Sequence, residues 1–195
     1  MQRKRFFLGI TGASGVIYGL RLLEELNRRG GEVHVAVSAG GWDLLRREVG
    51  VGRKKLEELS ASLHDSSEMD TPLSSGSFKL DGSVIAPCTV STASKIACGV
   101  QDNLITRAAS VALKERWPLL LLIRETPLPA PVLRSLTYLS EIGVTIMPAS
   151  PAFYLSPRGV DDLVDFIVRR ILAHLGYEDS AEPYRPPEET SKKLG

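Results

Sequence analysis

The chain predicts an α/β fold, a doubly wound, mostly parallel sheet in a three-layer αβα arrangement. Two observations lead there. Short apolar runs alternate with stretches of helical period along most of its length. Two of those runs end in small-residue turns that open helices, as strands do in doubly wound sheets.

Residues 5–11 (RFFLGIT) form the first apolar run, followed by the glycine turn 12–15 and a helix carrying Leu20, Leu23 and Leu26 on one face. Residues 32–38 (EVHVAVS) are β-branched and alternating, and residues 40–49 return to helical spacing with Trp42, Leu45 and Val49. From residue 53 to residue 79 the pattern weakens around Pro72, which predicts a short helix over 56–63 and then a long loop. Long ordered loops in compact domains are often functional. Strand-like runs return at 83–86, 119–123 and 144–147. The last helix, 159–175, carries the stripe Val160, Leu163, Val164, Ile167, Ile171 and Leu175. The expected organisation is one domain over 1–176 and a polar tail over 177–195 that packs poorly in a monomer or drapes over a neighbouring subunit.

With 195 residues, 43% apolar and 24% charged, the chain is large enough for one full core. A net charge of +1 provides no broad basic field, which argues against nucleic acid or an acidic membrane surface as partner. Cys88 and Cys98 are too few for a disulfide framework and lack zinc spacing, so a reduced cytoplasm is expected. The apolar run behind the basic N-terminus is too short for a signal peptide. No stretch approaches the ~20 apolar residues of a membrane span.

Several segments have the residue types for chemistry. In the turn Gly12, Ala13, Ser14 and Gly15, close backbone approach and a helix start suit a phosphate or flavin edge; a plain tight turn with Ser14 as N-cap is the alternative. The turn of Thr89, Val90, Ser91 and Thr92 repeats the architecture, with more hydroxyls than capping alone needs. Cys88 has no adjacent base and reads as a small buried residue. On residues 102–116, Leu104, Ile105, Ala108, Val111 and Ala112 share a stripe, while Asn103, Arg107, Ser110 and Lys114 form a polar face. Arg107 and Lys114, about two turns apart, either reach one phosphate or line a solvated surface.

Arg124 and Glu125 follow a strand at its carboxyl end, where such sheets bind ligands. There Glu125 is either a proton-transfer group, its pKa raised by partial desolvation beside a phosphate, or an ion-pair partner of Arg124. Tyr154 sits in a loop stiffened by Pro148 and Pro151. Arg170 falls at the border of the final stripe, facing inward or snorkelling, while Arg169 points away. Asp161, Asp162 and Asp165 spell a magnesium-diphosphate motif, but they lie opposite the core stripe and read as a solvated face. His34, His64 and His174 are scattered, so no metal site is expected.

Taken together, six blocks resemble the UbiX-type flavin prenyltransferases over about residues 7–176. They are TGASG at 11–15, SGSF at 75–78, DNLITRAASVALKER at 102–116, RETPL at 124–128, PAFY at 151–154 and DLVDFIVRRIL at 162–172. The resemblance implies a Rossmann-like flavoprotein fold, usually in a homododecamer. It also implies an enzyme that joins the dimethylallyl group of dimethylallyl monophosphate to N5 and then C6 of reduced FMN, for use by a UbiD-type decarboxylase. By resemblance, Gly12, Ala13, Ser14, Ser38, Thr89, Val90, Ser91, Thr92 and Arg124 bind FMN. Arg107, Lys114, Tyr154 and Arg170 hold the prenyl phosphate, with Glu48 contributing from a neighbouring subunit. Glu125 moves protons and Ser14 lies close to N5. Fixed cations substitute for magnesium as the allylic phosphate leaves. Residues 131–136 depart from the His-Leu-x-Asn-Met run of many relatives. The related flavin-dependent cysteine decarboxylases carry an early catalytic histidine and a PxMNxxMW segment, both missing here. A flavin-storage module and a direct aromatic acid decarboxylase are the competing readings.

Overall fold

A computed structural model describes residues 3–177. The chain runs β1 (Arg5–Ile10), α1 (Val16–Arg28), β2 (Glu32–Val37), α2 (Ala39–Val49), α3 (Arg53–Leu59), β3 (Ser62–Asp65), β4 (Gly82–Cys88), α4 (Val90–Ala97), α5 (Leu104–Glu115), β5 (Leu119–Ile123), α6 (Ala130–Glu141), β6 (Thr145–Pro148) and α7 (Val160–His174). The six strands pair in parallel in the order β3-β2-β1-β4-β5-β6. This is the doubly wound arrangement that the sequence predicts, with its topological switch between β1 and β4.

Both faces of the sheet are covered, which is why its central strands read as nearly continuous apolar runs. Successive side chains alternate between the two cores. Phe6, Leu8 and Ile10 of β1 and Leu120 and Leu122 of β5 pack with α1, α3 and α7. Phe7 of β1 and Leu119, Leu121 and Ile123 of β5 pack with α4, α5 and α6. Helix α1 lies so close to the sheet that a Cβ on Gly19 would stand 2.3 Å from the Ala86 carbonyl oxygen.

Three expectations change. Residues 62–65, expected as the end of a helix and the start of a loop, form edge strand β3, and α3 stops at Leu59. β3 reads Ser-Leu-His-Asp, is half-buried and pairs only with β2, so its one apolar residue leaves no strand-like run. On α7 the buried residues are Val164, Ile167, Val168, Ile171 and Leu172, while Val160 is 69% exposed. Burial of Val168 and Leu172 rotates the inner arc away from Arg170, which is exposed like Arg169. Asp161 and Asp165 are more than a solvated face: the Asp161 side chain is 77% exposed, but both bind Arg21 of α1, at 2.9 and 2.5 Å, and tie the two helices together. The expected tail lies outside the described residues beyond Tyr177.

The Gly19 contact is with backbone, which has no rotamer through which to yield. Gly19→Ala should therefore lower stability by about 1–3 kcal/mol despite alanine's better helix propensity, read as a lower urea midpoint at unchanged slope.

Candidate functional site

The switch point is held together by one side chain. Thr11 follows β1 and is 3% exposed. Its hydroxyl donates to the Pro87 carbonyl at 2.8 Å and accepts from the Thr89 N–H at 2.8 Å, and its own N–H reaches the same carbonyl at 3.2 Å. The β1–α1 and β4–α4 turns are thereby fixed as the two flanks of a crevice.

On the first flank Gly15, at φ 95°, is the N-cap of α1 and no side chain of its own turn caps the helix. The alternative of Ser14 as N-cap is therefore set aside. Glu48 supplies the cap instead: its Oε2 accepts from the N–H groups of Gly15 at 2.8 Å and Val16 at 3.2 Å. Helix α2 also meets the other end of the turn, where a Cβ on Gly12 would lie 3.1 Å from the Gly40 Cα. Gly12 and Ser14 remain exposed and Ala13 is buried. Ser38 caps α2 through the Gly41 N–H at 3.1 Å.

On the second flank Thr89 caps α4, accepting from the Thr92 N–H at 3.1 Å while its hydroxyl bonds that of Thr92 at 2.9 Å. Val90 is half-buried and Ser91 is exposed. Burial pushes the Cys88 thiol pKa far up, which removes it as a nucleophile.

Arg124 enters from the end of β5. Its Cγ lies 4.0 Å from the Cβ position of Gly15, and the Tyr18 ring comes within 3.1 Å of the same point. Burial raises the Tyr18 phenol pKa, and the positive charge of Arg124 partly offsets this. The Arg124 Nε is buried and has no hydrogen-bond partner. Glu125 is exposed; it makes no ion pair with Arg124, and its carboxylate accepts from the Thr126 N–H at 3.0 Å.

The remaining expected residues lie farther along their helices. α5 starts at the carboxyl edge, where the Leu104 N–H bonds Ser66 O just beyond β3, and ends at the amino edge, where β5 begins. Arg107 donates to Ser74 O at 3.0 Å and to Gln101 Oε1 at 2.5 Å. Lys114 pairs with Glu115 at 3.0 Å, and its Nζ lies 3.2 Å from the Cβ position of Gly76. Seven residues of helix separate these two cations by about 10 Å along the axis, with Lys114 toward the edge opposite the crevice. Arg170 also lies toward that edge, since α7 ends where Leu175 packs on Gly82, the first residue of β4. Tyr154 is 67% exposed in the turn Phe153–Leu155 after β6.

A family model for Flavoprotein matches residues 1–172. The flavin prenyltransferase UbiX of Thermoplasma acidophilum is 44% identical over 172 residues, covering 88% of this chain and 94% of that protein. The chain belongs to the UbiX flavin prenyltransferase family. The crystal structure of AnUbiX (PadA1) in complex with FMN and dimethylallyl pyrophosphate superposes with a TM-score of 0.91 at 34% identity, covering 95% of this chain and 99% of that one. A dodecameric FMN-dependent UbiX-like decarboxylase from Escherichia coli O157:H7 gives 0.86 at 35% identity, covering 88% and 94%.

The crevice of this UbiX family member fits a flavin on its own evidence. A buried guanidinium N–H without an acceptor is costly, and a flavin oxygen or nitrogen would satisfy it. Bare backbone at Gly12 and the exposed Ser14 leave room on the same flank. Among the described residues no group of three or more His, Cys, Asp or Glu is placed to hold a metal ion.

Sequence reasoning did not single out the clamp of Thr11, the packing of Tyr18 or the cap from Glu48. Thr11 carried a signal as a hydroxyl at a strand end, and Tyr18 one as an aromatic on the first turn of α1. The Glu48 contact spans 33 residues and has no local signature. Thr11→Val keeps the side-chain shape but leaves the Thr89 N–H unpaired. It should cost about 1–3 kcal/mol of stability, measured by denaturant unfolding, and should weaken FMN binding in flavin-fluorescence titrations.

Proposed function

We propose that this chain transfers the dimethylallyl group of dimethylallyl monophosphate to N5 and C6 of reduced FMN, releasing phosphate and giving prenylated FMN. The observation that carries this reading is the partnerless Nε of Arg124 at the switch-point crevice of a UbiX family member. Bound there, reduced FMN would supply an electron-rich acceptor for the prenyl carbon.

In this reading Gly12, Ala13, Ser14, Ser38, Thr89, Val90, Ser91, Thr92 and Arg124 hold the flavin, with Ser14 beside N5. Arg107, Lys114, Tyr154 and Arg170 hold the prenyl phosphate. Negative charge growing on an allylic phosphate as it leaves is met by fixed cations, which take the place of magnesium. Ring closure sheds a carbon-bound proton, and Glu125, exposed at the end of β5, is the base within the loop that carries Arg124.

The reading includes a homo-oligomer. One relative is dodecameric. Lys114 and Arg170 lie toward the edge opposite their own crevice, so we assign them to the crevice of a neighbouring copy. Phe153 at 71% exposure, with Tyr154 next to it and the exposed Val160 at the start of α7, supports packing between copies. The rest of the reading is a single flavin-binding domain over 1–176, a cytoplasmic setting, and a UbiD-type decarboxylase as recipient of the product. Among the described residues no helix is long and apolar enough to cross a membrane.

The test is anaerobic incubation of the purified protein with reduced FMN and dimethylallyl monophosphate, followed by mass spectrometry of the flavin. The expected product is heavier by one five-carbon unit. Glu125→Gln should retain FMN affinity and lose turnover by about 10²-fold or more, the usual worth of a positioned base. Unmodified flavin from the parent protein overturns the reading, and carbon dioxide released from an aromatic acid by this protein alone would favour direct decarboxylation.

A further inference from the structure

We propose that His64 is a positioning residue. It carries one added proton that closes a chain of hydrogen bonds from Glu32 through His34 and Ser62 to Glu68, and the closed chain fastens the loop over 66–81 that holds Arg107. The consequence for turnover rests on the prenyltransferase reading, but the chain itself is independent of it.

Two histidines that look scattered in the sequence meet on neighbouring strands. β2 and β3 pair with His34 beside Ser62 and Ala36 beside His64, so His34, Ser62 and His64 share one face of the sheet. Glu32 Oε1 lies 3.0 Å from His34 Nε2, and His34 Nδ1 lies 2.7 Å from Ser62 Oγ. Ser62 Oγ lies 3.0 Å from His64 Nε2, and His64 Nδ1 lies 3.2 Å from Glu68 Oε2. Both ends of the chain are ionised carboxylates, held below the usual range: Glu32 chiefly by its bond from Arg5, Glu68 chiefly by the Asp65 N–H. An ionised carboxylate only accepts, a neutral imidazole has one N–H and a hydroxyl one O–H. The four links need four hydrogens, while two neutral rings and one hydroxyl bring three. One added proton completes the chain. Burial pushes the His34 pKa down; Glu32 opposes this, while the charge of Arg5 adds to it. The proton therefore sits on His64, which donates to Ser62 and Glu68, while Ser62 donates to His34 and His34 to Glu32. Asp65, the other acid at this end, is paired with Arg53 at 2.6 Å.

The chain grips the loop over 66–81 at both ends. Near its start Glu68 is the last link, and its Oε1 also accepts from the Asp65 N–H at 2.9 Å. Near its end the Phe78 ring stands edge-on to His34, centroids 5.1 Å apart, with the Arg5 guanidinium 4.2 Å above it. Between these fastenings the loop meets α5: Ser66 O accepts from the Leu104 N–H at 2.7 Å and Ser74 O from Arg107 Nε at 3.0 Å. Loss of the added proton leaves His64 Nδ1 and Glu68 Oε2 as two acceptors facing each other. That link opens first, because Glu68 is the more exposed end of the chain, its side chain at 47% against 26% for Glu32. Ser74 then loses its fixed place beside Arg107.

The experiment compares the parent with E68Q and H64A at about pH 6 and about pH 8, on either side of the range in which imidazoles change charge. E68Q keeps an oxygen for the Asp65 N–H and brings an N–H of its own to neutral His64, so it supplies the fourth hydrogen at any pH. The ratio of parent to E68Q cancels the titration of the donor phosphate itself. At pH 6 the two should have the same kcat/KM for dimethylallyl monophosphate, and at pH 8 the parent should fall about tenfold below E68Q, the scale of one lost charged hydrogen bond. H64A should be low at both pH values, and the KM for FMN should be unchanged throughout. A parent that keeps pace with E68Q at pH 8, an E68Q protein as poor as H64A, or an H64A protein that matches the parent at pH 6 overturns the proposal. If the parent does not prenylate flavin, the functional reading fails. Hydrogen exchange at the Leu104 amide, faster in the parent than in E68Q at pH 8 but not at pH 6, still decides whether the chain fastens the loop.

Discussion

The buried hydroxyl of Thr11 is the interaction on which the site depends. At the switch between β1 and β4 the chain sends one helix to each face of the sheet, so the two turns above these paired strands diverge beyond the last ladder pair, Gly9 and Ile85. Thr11 donates to one backbone group of the β4 end and accepts from another, spanning the divergence with two 2.8 Å bonds. Buried at the point where the sheet's winding reverses, such bonds exchange little with water. The distance between the glycine flank and the threonine flank is therefore set by the sheet itself. Helix α2 adds a second constraint from above, gripping the glycine turn at both ends.

Within that frame the charges divide into two groups. Arg124 belongs to the crevice, and its Nε is buried and lacks a partner that a ligand would supply. Lys114 and Arg170 belong to helices running down toward the opposite edge, with Lys114 paired to Glu115. In the proposed reading a single chain carries the flavin-facing half of a site and presents two of its phosphate-holding residues, Lys114 and Arg170, elsewhere. The proposed assembly from several copies would reconcile the two and would also give Phe153 a reason to be exposed.

Most of the fold was legible in the sequence because burial on both sheet faces leaves a strong signal. β1, β2, β4, β5 and β6 lie at the predicted apolar runs, and the small-residue turns fall where helices begin. β3 was not legible, because a half-buried edge strand pairing on one side needs no apolar run. The choice left open for Arg170, inward or snorkelling, is decided toward solvent because a stripe that includes Val160 points differently from the buried one that includes Val168 and Leu172. The ion pairs of the α7 aspartates went unseen because their partner, Arg21, lies 140 residues away from Asp161 in sequence. The same limit hid the cap that Glu48 places on α1. The residue types of the crevice flanks are visible locally, whereas the contacts that hold those flanks connect distant segments.

The most direct test is a structure of the assembled protein with FMN and dimethylallyl monophosphate. The account predicts the isoalloxazine ring between the two flanks, an acceptor atom of the flavin on Arg124 Nε, Ser14 against the ring, and Lys114 and Arg170 arriving from neighbouring copies. Flavin bound at the amino edge, in the hollow beside Leu113, Trp117 and Ile142, with Arg124 Nε still lacking a partner, would contradict it.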